Sequence, residues 1–174
     1  MNINGPVGAL SLARVVWAAA LFFIINGCGA PVISKGVRDQ ADPTATFKAV
    51  FHDPDAYKGK TVLWGGIIIR TRNAKDVTWI ELVQEPLAGD DRPIRREASE
   101  GRFLIRHDGF LDPAVYGRGR EVTLVGEVRG LETRLLDEAE YRYPVVADKQ
   151  LVLWGPAQEP AFHFNLGFGA VFSR

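Results

Sequence analysis

Thr61-Val62-Leu63-Trp64-Gly65-Gly66-Ile67-Ile68-Ile69, followed after a short polar gap by Val77-Thr78-Trp79-Ile80-Glu81-Leu82-Val83, decides the class of this chain. Both runs are rich in β-branched and aromatic residues, which fit a pleated, half-buried surface. The first reads as a strand bent at its two glycines, and the second closes at Glu85-Pro86. Outward from this pair, Arg102 to Arg106 and Glu121 to Val128 read as two more strands. Tyr141 to Val146 and Leu151 to Trp154 complete the set, the former with a proline, Pro144, that suits an edge or a bulge. Short strands separated by turn signals, with little helix, indicate a small barrel or sandwich.

One short helix is expected ahead of the strands. Asp42 is placed to cap it and Pro43 to start it, with Phe47, Val50 and Phe51 on one apolar face. Asp53-Pro54 ends it, because the residue before a proline avoids the helical region. An internal echo begins at the same point. Asp53-Pro54-Asp55-Ala56-Tyr57, then Gly59-Lys60, Val62, Trp64 and Gly66, is matched by Asp112-Pro113-Ala114-Val115-Tyr116, then Gly119-Arg120, Val122, Leu124 and Gly126. In each copy Asp caps a single turn, Pro starts it, Tyr packs on the adjoining sheet, and Gly ends the turn in a left-handed conformation. Two copies are too few for a solenoid and suggest two equivalent corners of one barrel.

The N-terminus carries a different signal. Arg14 is the only charged residue before Cys28, and it precedes an unbroken apolar run, Val15 to Ile25. That run falls within the roughly 7–15 residues of a signal-peptide core and short of the roughly 20 needed to span a bilayer. Asn26-Gly27-Cys28 follows, a small residue directly before the only cysteine of the 174-residue chain. This resembles the lipobox of bacterial lipoproteins, which implies a diacylglyceryl group on the thiol, cleavage before Cys28 and N-acylation of the new terminus. The opposing reading is an uncleaved anchor helix with an incidental cysteine. Removal of residues 1–27 takes the formal charge from +0 to about −1. Such a balance argues against nucleic acid as a partner. Gly29 stands where lipoproteins kept in the inner membrane typically carry Asp, which by the same resemblance implies the outer membrane, on its periplasmic face.

Trp64-Gly65-Gly66-Ile67-Ile68, Asn73 and Thr78 to Leu87 together resemble the signature of the Slp family, the starvation-inducible outer membrane lipoproteins of Gram-negative bacteria. Gly101-Arg102-Phe103, Gly109 to Pro113, Gly119-Arg120, Gly126 and Tyr141-x-Tyr143-Pro144-Val145 extend the match, which runs from about Phe47 to Trp154. The resemblance implies a mostly-β, OB-like barrel. The expected organisation is a signal peptide over 1–27, a lipid-anchored linker over 28–42, the barrel domain over 43–156 and an aromatic tail over 157–174. The lipobox, the family resemblance and the lack of a catalytic constellation together lead to the expectation of a non-catalytic outer membrane lipoprotein acting in envelope maintenance or adaptation to stress or starvation. The alternatives are a periplasm-facing ligand-binding module and a structural subunit of an envelope complex.

Catalysis has no candidate constellation. His52, His107 and His163 lack metal-ligand spacing, and Asp53, beside His52 and Asp55, is accounted for as a cap. Cys28 is consumed by the lipid, so no cofactor is expected beyond the covalent diacylglycerol and N-acyl chains. Gly117 to Arg120 reads as a turn. Arg92-Pro93-Ile94-Arg95-Arg96, beside Asp90, Asp91, Glu97 and Glu100, reads as a solvated loop. Binding is more open. Alternation puts Trp79, Glu81 and Val83 on one strand face. Glu81 is either a surface carboxylate paired with Arg102, or one of three residues, Asn73, Glu81 and Arg102, that line a ligand groove.

At the C-terminus, Phe162, Phe164, Leu166, Phe168, Ala170 and Phe172 alternate with mostly small or polar residues. This is the pattern of a strand with one wet and one greasy face. A single strand cannot cross a bilayer alone, since its backbone groups would be unsatisfied in lipid. Residues 162–172 are therefore expected to cover the domain's own core, to dock on an envelope partner, or to join an oligomeric assembly.

Overall fold

Strand β1 (Thr61–Ala74) runs on past Ile69 and changes partner along its length. Thr61 to Ile67 pair antiparallel with β4 (Glu121–Leu136), while Gly65 to Ala74 pair antiparallel with β2 (Val77–Glu85). The overlap demands a tight coil at the glycines, as the sequence predicts. A Cβ on Gly66 would collide with the Val83 carbonyl, and one on Gly126 of β4 would lie 2.5 Å from Val146 Cγ1 and 2.6 Å from the Ala147 carbonyl. In this computed structural model, which describes residues 31–155, β3 (Arg102–Asp108) and β5 (Ala139–Leu153) complete the sheet. The strands close into a barrel in the order β1-β2-β3-β5-β4. Only β3 and β5 run parallel. This is the OB-like barrel that the sequence resemblance implies.

Alternate residues fill the interior: Val62, Trp64 and Ile68 from β1, Ile80 and Leu82 from β2, Phe103 and Ile105 from β3, Val122 and Leu124 from β4. Helix α2 (Phe47–His52) plugs one end of the barrel; α1 (Lys35–Arg38) precedes it in the chain. Phe47 meets Trp64 at 5.6 Å between ring centroids, and Trp64 meets Phe103 at 5.5 Å and 79°, an edge-to-face contact. The Trp64 indole donates to the Ala45 carbonyl at 3.1 Å, so this large side chain is buried with its polar atom satisfied.

Four local expectations are corrected. The cap of α2 is Thr46, whose hydroxyl accepts from the Ala49 N–H; Asp42 instead accepts from Thr44 in a preceding turn. The two expected strands over Tyr141–Val146 and Leu151–Trp154 are one continuous β5. Its polar middle still pairs with β4, through Ala147 with Glu127, Asp148 with Gly126 and Gln150 with Val125, and a bulge there absorbs the odd residue.

The third correction concerns the linker. From Val32 onward it is clasped to the barrel. The Ile33 N–H donates to Asp91 Oδ2 at 3.0 Å, and Ile33 itself is buried. Arg38 of α1 forms an ion pair with the other oxygen of the same buried carboxylate. Asp91 is held in turn, since the Thr123 hydroxyl donates to its carbonyl at 2.6 Å. The expected solvated loop is likewise partly structural: Arg92 and Arg95 both bind the buried carboxylate of Glu121, at 2.6 and 3.0 Å. Cys28, the signal segment and the alternating tail lie outside the described residues.

The two Asp-Pro corners occupy matching places. The first is a short helix, α3 (Pro54–Tyr57), capped by Asp53, which accepts from the Ala56 N–H. The second is a turn in which Asp112 accepts from the Ala114 N–H. Tyr57 and Tyr116 both pack on the main core, and Gly59 and Gly119 take φ of 82° and 85°. Gly59 donates to the Val128 carbonyl of β4, while Gly119 donates to the Ile68 carbonyl of β1.

Candidate ligand-binding groove

The register of β1 decides which of its polar residues meet β2. Up to Ile68 the even-numbered residues point inward; a bulge between Ile68 and Arg70 then inverts the alternation. Arg70 and Arg72 consequently stand on the outer face, opposite Glu81 and Trp79 of β2, while Thr71 and Asn73 turn the other way. Thr71 donates to the Tyr116 carbonyl at 2.6 Å and Asn73 donates to the Leu111 carbonyl at 3.1 Å. Asn73 Oδ1 also lies 2.5 Å from the buried Thr78 hydroxyl, which accepts from the Leu111 N–H. Asn73 thus belongs to a knot that pins the β3–β4 connection, and the structure does not bring it to Glu81 and Arg102. That part of the expected groove is corrected.

Glu81 and Arg102 do meet. Glu81 Oε1 accepts from Arg102 at 2.8 Å and from the Tyr143 hydroxyl at 3.3 Å, and Oε2 accepts from Arg70 at 3.1 Å. Glu81 is 6% exposed, so it is no surface carboxylate. Burial alone would raise its pKa, but the hydrogen bonds from Arg102 and then Arg70 outweigh this and hold it below the ordinary glutamate value. Arg102 moves the opposite way, held protonated by its bond to Glu81. The Tyr143 phenol is pushed up by its own burial and by the Glu81 charge.

A second small cluster lies on this outer face. Leu104, Tyr143 and Val145 are buried, with Trp79 and Tyr141 against them. The β4–β5 hairpin extends beyond the barrel as far as the Leu136–Ala139 pair, turning at Asp137, and folds back over β2. Arg134 of this arm lies above Trp79, 4.5 Å from the ring centroid, and donates to Glu132 at 2.8 Å. Between the arm and the sheet is a pocket of about 270 Å³ lined by Arg70, Arg72, Trp79, Glu81, Arg134 and Tyr143, with Leu104 and Leu135. Sequence reading missed the two β1 arginines because the bulge is not visible in the pattern. It missed Arg134 because the hairpin arm runs past the apolar strand core.

A larger cavity of about 480 Å³ lies beside Thr46, Trp64 and Gln84. Its charged residues are occupied: Asp42 by Thr44 and Lys60, Arg38 by Asp91, and Glu85 by the Arg96 N–H. Arg72 of the smaller groove, by contrast, is exposed and has no ion-pair or hydrogen-bond partner among the described residues. His107 contacts Asp148 at 2.9 Å, yet no group of three or more metal-binding side chains assembles among the described residues.

Comparison with known proteins finds a family and several relatives. A family model described as "Outer membrane lipoprotein Slp family" matches residues 25–165. The chain is 30% identical to "Outer membrane protein Slp" of Escherichia coli (strain K12) over 172 residues, covering 97% of this chain and 87% of that protein. It is 28% identical over 150 residues to "Uncharacterized lipoprotein YeaY" of the same organism, covering 86% and 76%. Among solved structures it is similar to a small single-stranded DNA-binding protein from Streptomyces coelicolor, at 12% identity and a TM-score of 0.35, covering 54% of this chain and 93% of that one.

Proposed function

This chain belongs to the outer membrane lipoprotein Slp family, and on that premise we propose that it is a non-catalytic lipoprotein held on the outer membrane by acyl chains at Cys28, with its barrel in the periplasm. Its work is then envelope maintenance or adaptation to stress or starvation. The observation that carries this reading is the family match over residues 25–165, which spans Cys28, and the clasp at Asp91 then sets how near the barrel sits to the anchor. The chain is fixed from Val32 onward, only four residues beyond the acceptor thiol. At about 3.6 Å per residue the barrel stands within about 14 Å of the lipid attachment. Two or three acyl chains make such an anchor stable.

Intact-mass analysis of membrane-extracted protein tests the anchor. Wild-type chains beginning at Cys28 with added acyl mass, and a Cys28→Ser variant lacking both, support it. A wild-type chain that keeps Met1 and carries no lipid overturns it.

A second reading is favoured by the pocket under the hairpin arm: a periplasm-facing module that binds a ligand there. Thermal-shift measurements with separated envelope components test it, and no shift with any of them sinks it. Docking of residues 162–172 on an envelope partner is a further proposal, supported by their alternating Phe pattern. Co-purification with and without the residues after Pro160 tests that.

A further inference from the structure

Glu81 is a buttress and not a ligand-binding group. Both of its oxygens are taken, one by Arg70 and the other by Arg102 and Tyr143. The bond to Oε2 uses one nitrogen of Arg70, whose side chain is 63% exposed and keeps most of its donors toward the groove. Arg72, two residues on, has the same orientation and no partner among the described residues. Arg134 presents a guanidinium from the opposite wall. Four arginines around the groove (Arg70, Arg72, Arg102 and Arg134) face two carboxylates, Glu81 and Glu132, which leaves an excess of two positive charges. A chain that is electrically balanced as a whole therefore concentrates cation at one pocket.

The rest of the lining is apolar. Half-buried Trp79, with Arg134 over its ring, and Leu135, 67% exposed, offer the accessible apolar surface, while Tyr143 and Leu104 are buried beneath them. Forked guanidinium donors beside aromatic and aliphatic surface suit a ligand with two parts. One part is a phosphate or carboxylate. The other is a ring whose C–H face packs on Leu135 and the uncovered part of Trp79 while its edge stays polar. The volume is slightly below the usual range for small-molecule sites, so one ring fills it.

We infer that this groove binds an anionic sugar: a single pyranose unit bearing a phosphate or a carboxylate, free or carried on a polymer. The inference rests on the second reading above and names its ligand class. The groove and the clasp lie at different positions along β1. Leu87 and Pro93, in the connection that carries Asp91, lie against Gly65. Arg70 and Arg72 stand five and seven residues further along β1, beyond the bulge, at most about 17 and 23 Å of strand from Gly65.

Calorimetric titration of the detergent-solubilised full chain with glucose 6-phosphate, glucuronate, glucose, inorganic phosphate and a short oligothymidylate tests this. Glucose 6-phosphate or glucuronate should bind, glucose should not, and Arg72→Gln should weaken binding about tenfold or more, the loss of one charge-assisted hydrogen bond. Arg118→Gln, at an exposed position outside the groove, should bind as wild type. Unaltered affinity in Arg72→Gln, or equal affinity for inorganic phosphate and the sugar phosphate, overturns the inference. Glucose or the oligonucleotide binding at an Arg72-dependent site keeps the binding reading but overturns the ligand class. No binding of any probe overturns the inference, while the thermal-shift screen still decides whether the groove binds another class.

Discussion

The Gly59 N–H donates to the Val128 carbonyl at 2.8 Å, and its counterpart sixty residues on, Gly119, donates to the Ile68 carbonyl at the same distance. Val128 returns a bond to Lys60 at 2.9 Å, as Ile68 does to Arg120. The β1–β4 ladder runs between these two clamps, and at its centre Trp64 pairs with its own equivalent, Leu124. The repeat read in the sequence is therefore a local two-fold relation, each corner locking the strand that the other corner launches.

Gly59→Ala and Gly119→Ala should each destabilise the fold by about 1–2 kcal/mol, because both glycines hold left-handed backbone that a Cβ opposes. No steric clash confuses the result, since a Cβ at either site meets open space. Equivalent corners predict losses of similar size. Urea unfolding of the two variants checks this, and a marked inequality would show that one clamp dominates.

Glu81→Gln should cost about 1–3 kcal/mol. It leaves Arg70 and Arg102 without their counter-charge, but both side chains are partly solvated, which reduces the penalty below that of a fully buried pair. Chemical denaturation measures the loss. A variant as stable as wild type would mean that water already screens the triad.

The same carboxylate predicts a pH dependence. Its folded-state pKa lies below the ordinary value of 4.5, so its contribution is present above that value and disappears as pH falls through the lower, folded pKa. Wild type should lose thermal stability below about pH 4.5 more steeply than Glu81→Gln, with the two curves converging in acid. Parallel curves would reject the assignment. Asp42, also lowered, chiefly by its bonds from Thr44, contributes equally to both proteins and cancels in the difference.

Asp91→Asn should release the N-terminal segment while sparing the barrel. Asp91 has φ of 72°, a conformation asparagine tolerates, so the loop backbone survives and the ion pair to Arg38 is what disappears. Hydrogen exchange should quicken at Ile33 and over Lys35–Arg38, with β1 and β4 amides unchanged. Exchange that quickens through β4 as well would make Asp91 part of the barrel's own stability.

Strand-forming runs and the paired corners were legible because apolar alternation and Asp-Pro-Gly punctuation act over a few residues. The Glu81–Arg102 pair was legible too, as a charge inside an apolar strand needs a partner. Asn73 was misplaced by a single bulge, since one extra residue sends every later side chain to the opposite face. The clasp of Ile33 on Asp91 spans 58 residues and rests on a polar segment with no periodicity, so nothing local announces it. The joining of two expected strands into β5 was hidden for a similar reason: pairing with β4 carries the ladder through residues of low strand propensity.

Thr123 joins the two ends of the described chain. Its hydroxyl donates to the Asp91 carbonyl, behind the segment leading back to Cys28, and accepts from the Trp154 indole N–H at 2.9 Å, just before the chain departs toward the tail. In mechanical terms the two ends share one point of attachment. With the lipid proposed at Cys28, the chain from the anchor and the chain toward the tail meet the domain at the same end of β4, where Asp91, Thr123 and Trp154 are hydrogen-bonded in series.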